Sequence, residues 1–351
     1  MKKIIYILTI TSLCSCGSKL APVAKNAIKP TVITNATPND TDDPAIWINK
    51  FQPEKSLIIG TDKEKETGGL YAFDLSGKIV KSVYPMDRPN NVDVAQDVKF
   101  NGSKIDIAVA TERNKNQIRV FSLPDLQPLD NGGIAVFEDS ELKSPMGIAL
   151  YTQSETGKVY AIVGRKNGPS NEYIYQYQLI EKDGYFTAQL VRKFGLYSGK
   201  KEIEAIAVDN ELGYIYYSDE TVGIRKYYAD PEKGNEELAL FGTKDFKRDH
   251  EGIAIYKTSA EEGYILVSDQ QANNFIIYPR EGLSNNAHKH EMIAKIPFST
   301  IECDGADAVN FNFGPSFDKG IFVAMSNGKV FHIYDWNIIQ EEIDKQKNQS
   351  K

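Results

Sequence analysis

The stretch Asn39–Trp47 places two adjacent carboxylates, Asp42 and Asp43, directly before a short apolar run. Pro44 separates the acids from that run, and because proline has a fixed φ and no N–H it suits the first residue of a strand. The two aspartates are therefore predicted to lie where a loop becomes a strand that enters a core. Carboxylates held there are either solvated loop residues or ligands for a hard cation such as Ca²⁺.

A unit of four strand-like segments recurs about every 50 residues, which is typical of a β-propeller blade. The first segments of the six units are Pro44–Trp47, Asp97–Phe100, Gly147–Leu150, Ala205–Val208, Gly252–Ile255 and Ala308–Phe311. The sixth unit lacks an outer strand of its own, and Thr31–Thr34 is expected to supply it and close the ring. The sequence thus predicts an all-β fold, a six-bladed β-propeller over residues 31–340. A pair of β-sandwiches is the alternative, but it gives no reason for six repeats.

Charged residues are expected to collect at one end of this propeller. The first two strands of a blade are antiparallel, so the start of the first and the end of the second lie at the same end. Carboxylates at these positions include Asp42, Asp43, Glu202, Glu204, Glu220, Asp249, Glu251, Asp304 and Asp307. The cations are Lys63, Arg113, Arg165 and Lys166, all in blades one to three. We refer to this end as the mouth; the other end, with turns such as Asn101-Gly102, is predicted to consist of plain hairpins.

This distribution of charge favours a hydrolase for phosphate esters. Two carboxylates about 4 Å apart repel by roughly 4 kcal/mol at an effective dielectric of 20, so several can share a mouth only with cations between them. Oxygen ligands suit Ca²⁺, whereas the four histidines have no zinc-ligand spacing. A metal lowers the pKa of a bound water, and Lys and Arg groups hold phosphoryl oxygens as charge develops. The spacing alone leaves open that these charges are simply solvated.

The N-terminus has the features of an export signal. Lys2 and Lys3 precede the apolar run Ile4–Leu13, which is too short to span a bilayer. Leu13-Cys14-Ser15-Cys16 resembles a bacterial lipoprotein cleavage box, which predicts a signal over residues 1–16 and a lipid on Cys16. Residues 17–30 would then be a tether to a cell-envelope membrane. The alternative is an ordinary cleaved signal peptide with an incidental cysteine.

The net charge and the cysteine content limit which binding partners and cross-links are expected. The chain has 41 Lys+Arg against 48 Asp+Glu, a net charge of −7, and no basic stripe is visible, so nucleic acid is not expected to bind. We expect a monomer that binds a small phosphorylated substrate. Cys303 is the one cysteine that follows Cys16, so no disulfide framework is expected. The last stretch, Gln340–Lys351, is nearly all charged or amide residues and is predicted to be a short helix or a frayed tail.

Two motifs resemble those of the β-propeller phytases. Asp42-Asp43-Pro44-Ala45-Ile46-Trp47 is similar to the first signature of that family, and Asn90-Asn91-Val92-Asp93 is similar to the start of the second. The similarity runs from about residue 30 to 340. The resemblance implies calcium-dependent hydrolysis of phytate, myo-inositol hexakisphosphate, by a calcium-bridging water. It also implies a second, adjacent phosphate pocket.

The resemblance also implies roles for individual residues. The calcium-binding positions would be Asp42, Asp43, Glu204, Glu220, Asp249, Glu251 and Asp304. The phosphate-holding positions would be Lys63, Arg113 and Arg165, with Lys166 as the other candidate for the last position; with Glu204 these form the expected catalytic set. Three positions depart from the family pattern, namely Ala95 for an arginine, Met146 for a tyrosine and Glu64 for a lysine. Restoring any of them is expected to raise affinity for highly phosphorylated inositols.

Two other functions remain open at this point. Propellers also host calcium-dependent lactonases and esterases. Such an enzyme needs one deep calcium and a histidine or carboxylate base rather than a row of Lys and Arg. The third hypothesis is a propeller that binds a molecule without catalysing a reaction. Such a protein would tolerate the loss of any one metal-ligating residue.

Overall fold

The computed structural model describes residues 20–349, which form six four-stranded antiparallel sheets arranged in a ring. Blade one consists of β2 (Thr41–Trp47), β3 (Leu57–Asp62), β4 (Gly68–Asp74) and β5 (Ile79–Met86). Blade two consists of β6 (Pro89–Phe100), β7 (Ser103–Glu112), β8 (Gln117–Leu123) and β9 (Ile134–Ala135). Blade three consists of β10 (Pro145–Thr152), β11 (Val159–Arg165), β12 (Ile174–Lys182) and β13 (Tyr185–Phe194). Blade four consists of β14 (Ile206–Asp209), β15 (Tyr214–Asp219), β16 (Gly223–Tyr228) and β17 (Ala239–Phe241). Blade five consists of β18 (His250–Lys257), β19 (Gly263–Asp269), β20 (Asn274–Pro279) and β21 (Ala294–Pro297). Blade six consists of β22 (Ala306–Val309), β23 (Ile321–Ser326), β24 (Val330–Asp335) and the N-terminal strand β1 (Val32–Ile33). The predicted six-bladed propeller is confirmed.

The ring closes through the N-terminal strand, as the sequence predicts. β1 pairs with β24, with Val32 opposite Ile333 and Ile33 opposite His332. The sixth blade therefore contains strands from both ends of the chain. Unfolding either end would open the ring, so the closure couples the two termini to the stability of the whole domain.

The blades pack face to face, and this explains the continuous apolar runs of the second strands. β3, β11, β19 and β23 are buried at every residue because each lies between two neighbouring blades. Between blades two and three, for example, Val109 and Val120 share one cluster with Ile148 and Tyr175. Fully burying one such side chain contributes about 1.5–3 kcal/mol.

The second blade begins earlier than the sequence pattern predicts. Its first segment was expected at Asp97–Phe100, but β6 starts at Pro89 and runs for 12 residues. The register against β7 shifts between Pro89 and Val92 and again between Ala95 and Val98, where Asp97 has a φ of +59°. These bulges interrupt the apolar alternation, which is why the pattern hides the first half of the strand. As a result, Asn90 and Asn91 lie at the mouth.

The central channel is lined by the first strands, and three of its aspartates join neighbouring blades. The carboxylate of Asp43 accepts a hydrogen bond from Val92 N (3.1 Å), that of Asp93 from Leu150 N (2.7 Å), and that of Asp307 from Ile46 N (2.8 Å). Burial raises the pKa of Asp93 to about 7 and that of Asp307 to about 6. Asp307, expected among the mouth carboxylates, therefore lies in the channel instead.

Both ends of the described chain pack on blades five and six. The helix α1 (Trp336–Gln349) buries Trp336, Ile339 and Ile343, and Trp336 stacks on Tyr256 with ring centroids 3.4 Å apart. The predicted polar tail is thus largely a docked helix. Ile28, expected in the tether, is buried in the same apolar cluster. Among residues 20–349, no helix combines the length and apolar character needed to cross a membrane.

Candidate active site

Lys63 lies at the end of β3 and links two of the predicted acidic positions. Its Nζ is 2.8 Å from Asp42 Oδ1 and 2.7 Å from Asp304 Oδ2. Burial alone would lower the pKa of Lys63, but the two carboxylates raise it above its usual value. Lys63 is therefore a permanent cation that holds the first and sixth blades together at the mouth.

Asn90 provides a second link between carboxylates. Its Nδ2 donates to Asp42 Oδ2 (2.7 Å) and to Glu204 Oε1 (2.5 Å). Burial raises the pKa of Asp42 and of Glu204, and repulsion between the two carboxylates adds to the shift of Glu204. The amide brings blades one, two and four to one point without adding charge.

Two glycines let the acid-bearing segments at Glu204 and Asp43 approach the neighbouring blade. A Cβ on Gly147 would lie 1.9 Å from the carbonyl oxygen of Glu204, and a Cβ on Gly305 would lie 2.3 Å from Asp43 Oδ1. Since no side chain fits at either point, glycine is required there. The two glycines thus allow close packing of one blade on the next at Glu204 and at Asp43.

Blades four and five supply the next group of carboxylates. One carboxylate oxygen from each of Glu202, Glu204 and Glu220 lies within 4.8 Å of the other two. Lys201, which the motif comparison did not single out, holds Glu220 Oε2 at 2.9 Å and Asp249 Oδ2 at 2.8 Å. Burial raises the pKa of Glu220, although Lys201 opposes the shift.

A turn of 3-10 helix after β19, Gln270–Ala272, holds the remaining carboxylates with amide donors. Gln270 Nε2 donates to Asp304 Oδ1 (2.7 Å) and Glu251 Oε2 (3.2 Å), and Gln271 Nε2 donates to Asp249 Oδ2 (2.8 Å). The two amides separate like charges without neutralising them. The acidic group therefore keeps an excess of negative charge.

The cationic side of the mouth contains an arginine that sequence reasoning missed. Arg88 N donates to Glu64 O and Arg113 N donates to Arg88 O, both at 3.0 Å, and Arg88 adopts a φ of +60°. The buried Nε of Arg88 and that of Arg113 have no hydrogen-bond partner among residues 20–349. Burial lowers the pKa of Arg113; Glu204 opposes this shift and the charge of Arg88 adds to it. Two adjacent guanidinium groups with unpaired donors are suited to an anion.

Of the two neighbouring candidates, Lys166 lies at the mouth and Arg165 does not. Arg165 is 1% exposed, and its donors bind Tyr173 O (3.1 Å), Glu172 O (2.9 Å) and Leu142 O (3.1 Å). A guanidinium held by three carbonyls inside the blade has no free edge for phosphate. This corrects the expected role of Arg165. Lys166 is ion-paired with Glu202, and burial together with the charge of Arg113 lowers its pKa.

The acidic group fits a hard cation. Glu220 Oε1 and Asp249 Oδ1 are buried and have no hydrogen-bond donor within the described part of the chain. Burial raises the pKa of Glu251, and repulsion from the neighbouring carboxylates raises it further. A cation with oxygen ligands would satisfy the unpaired acceptors and offset the repulsion, and Ca²⁺ accepts such a ligand set.

Comparison with known proteins shows the family. A family model for phytase matches residues 6–350. A 3-phytase of Bacillus subtilis (strain 168) is 34% identical over 324 residues, which cover 86% of this chain and 81% of that protein. The chain belongs to the phytase family. The resemblance drawn from the two motifs is therefore confirmed.

Within this phytase, one predicted metal position differs in setting from the others. Asp43 faces the channel below the mouth, where one oxygen accepts from Val92 N. Burial, and then repulsion from Asp42, raises its pKa well above its usual value. Asp43 is thus separate from the group around Glu204, although it is adjacent to Asp42 in sequence. Its role as a metal ligand stays a prediction.

The three departures from the family pattern also occupy different settings. Ala95 is 5% exposed and lies in the apolar cluster between blades two and three, opposite Ile107. Met146 is buried, and its carbonyl accepts from Thr111 Oγ1. Glu64 is exposed at the rim of the mouth. Only position 64 therefore offers an open site for an added cation, which corrects the expectation that an arginine at 95 would strengthen phosphate binding.

We predict that Ala95→Arg destabilises the phytase by about 3 kcal/mol or more, because it buries an unpaired guanidinium among Val98 and Ile107. Glu64→Lys, an exposed change, should alter stability by less than about 0.5 kcal/mol and raise affinity for phytate more than for a simple monoester. Urea unfolding and KM for the two substrates measure this. An Ala95→Arg variant with unchanged stability and tighter phytate binding would contradict the placement.

Proposed function

We propose that this enzyme hydrolyses phosphate monoesters of phytate with the help of Ca²⁺ held by the mouth carboxylates. The proposal rests on one observation: the mouth contains both buried carboxylate oxygens and buried guanidinium nitrogens that have no hydrogen-bond partner in the described residues. Buried carboxylate oxygens of Glu220 and Asp249 lack donors, and buried Nε atoms of Arg88 and Arg113 lack acceptors, within residues 20–349. A cation and an anionic substrate together satisfy both sets.

The division of charge suggests a role for each group. Bound Ca²⁺ would supply positive charge and lower the pKa of water, so that hydroxide is available near neutral pH. Glu204, Glu220, Asp249, Glu251, Asp42 and Asp304 would hold the cation. In the hydrolysis, the water oxygen forms a bond to phosphorus, the ester P–O bond breaks, and the inositol alcohol leaves with a proton.

The cations would hold the phosphoryl group. Arg113 and Arg88 each present a planar guanidinium, which matches two phosphoryl oxygens, whereas Lys63 and Lys166 act as point charges. Lys63 bridges Asp42 and Asp304, two of the proposed cation ligands, so it would meet a phosphoryl oxygen that binds beside the cation. Charge that develops on phosphoryl oxygens in the transition state is then met by fixed donors.

Phosphate release from phytate tests the proposed substrate class. We expect release from phytate to exceed release from a simple aryl monophosphate, because only phytate offers further phosphates to the cations of the mouth. A lactone and an aryl ester should not be turned over. Lactone hydrolysis without phosphate release would favour the calcium-dependent lactonase, and binding of phytate without turnover would favour a non-catalytic propeller.

We also propose that the protein is exported and lipid-anchored through Cys16, as Leu13-Cys14-Ser15-Cys16 predicts. These residues lie outside the part of the chain that the structure describes. Cys16→Ala should move the protein from the membrane fraction to the soluble fraction of the cell envelope. A wild-type protein that is fully soluble there would contradict the anchor. That the enzyme is a monomer stays a prediction.

A further inference from the structure

The described chain enters the fold at the rim of the mouth. Ala21 N donates to Gln271 O at 2.9 Å, and Asn273 Nδ2 donates to Ala21 O at 2.7 Å. Asn273 is 6% exposed, so this contact is sheltered from solvent. Within the described residues, both backbone polar atoms of Ala21 are therefore bound to the loop between β19 and β20.

That loop is part of the candidate active site. The turn Gln270–Ala272 uses the side chains of Gln270 and Gln271 to hold Asp304, Glu251 and Asp249. The backbone of the same turn binds Ala21. The point where the chain joins the propeller is thus one turn away from the mouth carboxylates.

The segment that follows Ala21 is fixed along its length. Ile28 N donates to Pro297 O and Ser299 N donates to Ile28 O, both at 2.9 Å, and the Ile28 side chain is buried. The strand β1 then pairs with β24. Since contacts hold the segment at Ala21, at Ile28 and at β1, its start cannot move far from the mouth while the propeller is folded.

Chain length limits how far Cys16 can lie from this point. Ala21 is five residue steps from Cys16, and an extended chain spans at most about 3.3–3.6 Å per residue, or roughly 17 Å in all. The hairpin end is farther away, because the 10 residues of β7 alone rise about 3.3 Å each, or roughly 30 Å along the blade.

We propose that the anchored enzyme holds its mouth toward the lipid surface and its hairpin end toward the aqueous phase. The proposal rests on the lipidation of Cys16 put forward above. Charge on the same segment fits an anionic lipid surface: Lys25 and Lys29 are exposed and make no ion pair in residues 20–349. Substrate then reaches the mouth along the membrane surface, where anionic lipids repel a polyanion such as phytate.

Energy transfer to labelled lipids tests the orientation. A donor dye is placed on a cysteine in two variants of the lipidated protein in vesicles: Lys200→Cys near the mouth and Ser154→Cys at the hairpin end, both at exposed positions. Cys303 is buried and does not compete for the dye. We expect transfer from position 200 to exceed transfer from position 154 by about twofold or more, given the roughly 30 Å between the ends.

A lengthened tether is the matched control. Inserting 20 Gly/Ser residues after Gly17 adds a root-mean-square reach of about 25 Å, so the difference between the two positions should largely disappear. With a tether of wild-type length, phytate turnover should be slower on anionic than on neutral vesicles, and added salt should remove the difference. Equal transfer from both positions, or stronger transfer from position 154, would overturn the orientation.

Failure of the anchor is distinguishable from failure of the orientation. The intact mass of the purified protein shows whether Cys16 carries lipid. If it does not, the chain that begins at Cys16 is coupled to an aldehyde-bearing lipid, which forms a thiazolidine with the amine and thiol of an N-terminal cysteine. The thiol at position 200 or 154 is then left for the dye, and the same two dye positions are compared. A phytase that is inactive on phytate would leave this comparison unaffected, because energy transfer does not require turnover.

Discussion

Replacing Glu204 by glutamine is expected to lower kcat/KM for phytate by a factor of about 10²–10³, the effect of losing one electrostatic stabiliser. Glu204 is 7% exposed, and one of its oxygens lies within 4.8 Å of oxygens from Glu202 and Glu220. Glutamine keeps the shape and can still accept from Asn90 Nδ2, so the variant should fold. What it loses is the negative charge that would hold the cation.

The same loss is expected on the cationic side of the mouth. Arg113→Ala and Lys63→Ala should each lower kcat/KM by a similar factor, and Arg113→Lys should recover only part of the activity because lysine lacks the planar fork. Arg88→Ala extends the series to the arginine that the structure adds. Its effect should be larger on phytate than on a simple monoester if Arg88 holds a phosphate that is not being cleaved.

Glu181→Gln is the matched control, because Glu181 is exposed at the hairpin end and its carboxylate accepts a hydrogen bond from Gly184 N and forms no ion pair within residues 20–349. It should keep wild-type kinetics and wild-type stability. Folding of each variant is checked by thermal unfolding before rates are compared. If Glu204→Gln and Arg113→Ala are folded and retain full activity, the charged mouth is structural, and a binding propeller becomes the better interpretation.

Removing calcium should abolish turnover and lower Tm. The mouth gathers carboxylates whose pKa values burial and mutual repulsion raise, and a cation that binds only the native state relieves that repulsion. Ligand at 100 times its Kd stabilises the native state by about 2.7 kcal/mol per site. Chelation followed by calorimetry should show a drop in Tm of several degrees, and added Ca²⁺ should restore both Tm and activity.

Variants identify which carboxylates are responsible for the calcium effect. Glu220→Gln and Asp249→Asn should weaken the response of Tm to Ca²⁺. Glu220 Oε1 and Asp249 Oδ1 accept no hydrogen bond within residues 20–349, and Arg248 Nε is 3.7 Å from Asp249 Oδ1, so both oxygens are acceptors that a bound cation would satisfy. Glu181→Gln should respond as the wild type does. An enzyme whose rate and Tm are both indifferent to chelator would rule out the proposed metal.

The sequence predicts the architecture well because blade strands have a local signature. Each blade needs a buried second strand between two neighbours, so runs such as Leu57–Thr61 and Val159–Gly164 are mostly apolar, are buried throughout and recur at the blade period. Closure of the ring by Thr31–Thr34 could also be predicted, because the sixth unit lacks an outer strand of its own. The start of β6 was missed because two bulges break its alternation, and Arg88, just before that start, was missed with it.

Strand direction determined which loops form the mouth, because the start of each first strand and the end of each second strand lie at the same end, and the residue types in those loops predicted most of its charges. They did not determine where each side chain points. Arg165 and Lys166 are adjacent, yet β11 sends the arginine into the blade and leaves the lysine at the mouth. Asp42 joins Lys63 and Asn90, whereas its neighbour Asp43 faces the channel. Ala95 lies below the mouth, in the core. These choices depend on the packing of one blade against the next, which brings together residues more than 100 positions apart, such as Asn90 and Glu204. The tertiary structure alone decided them.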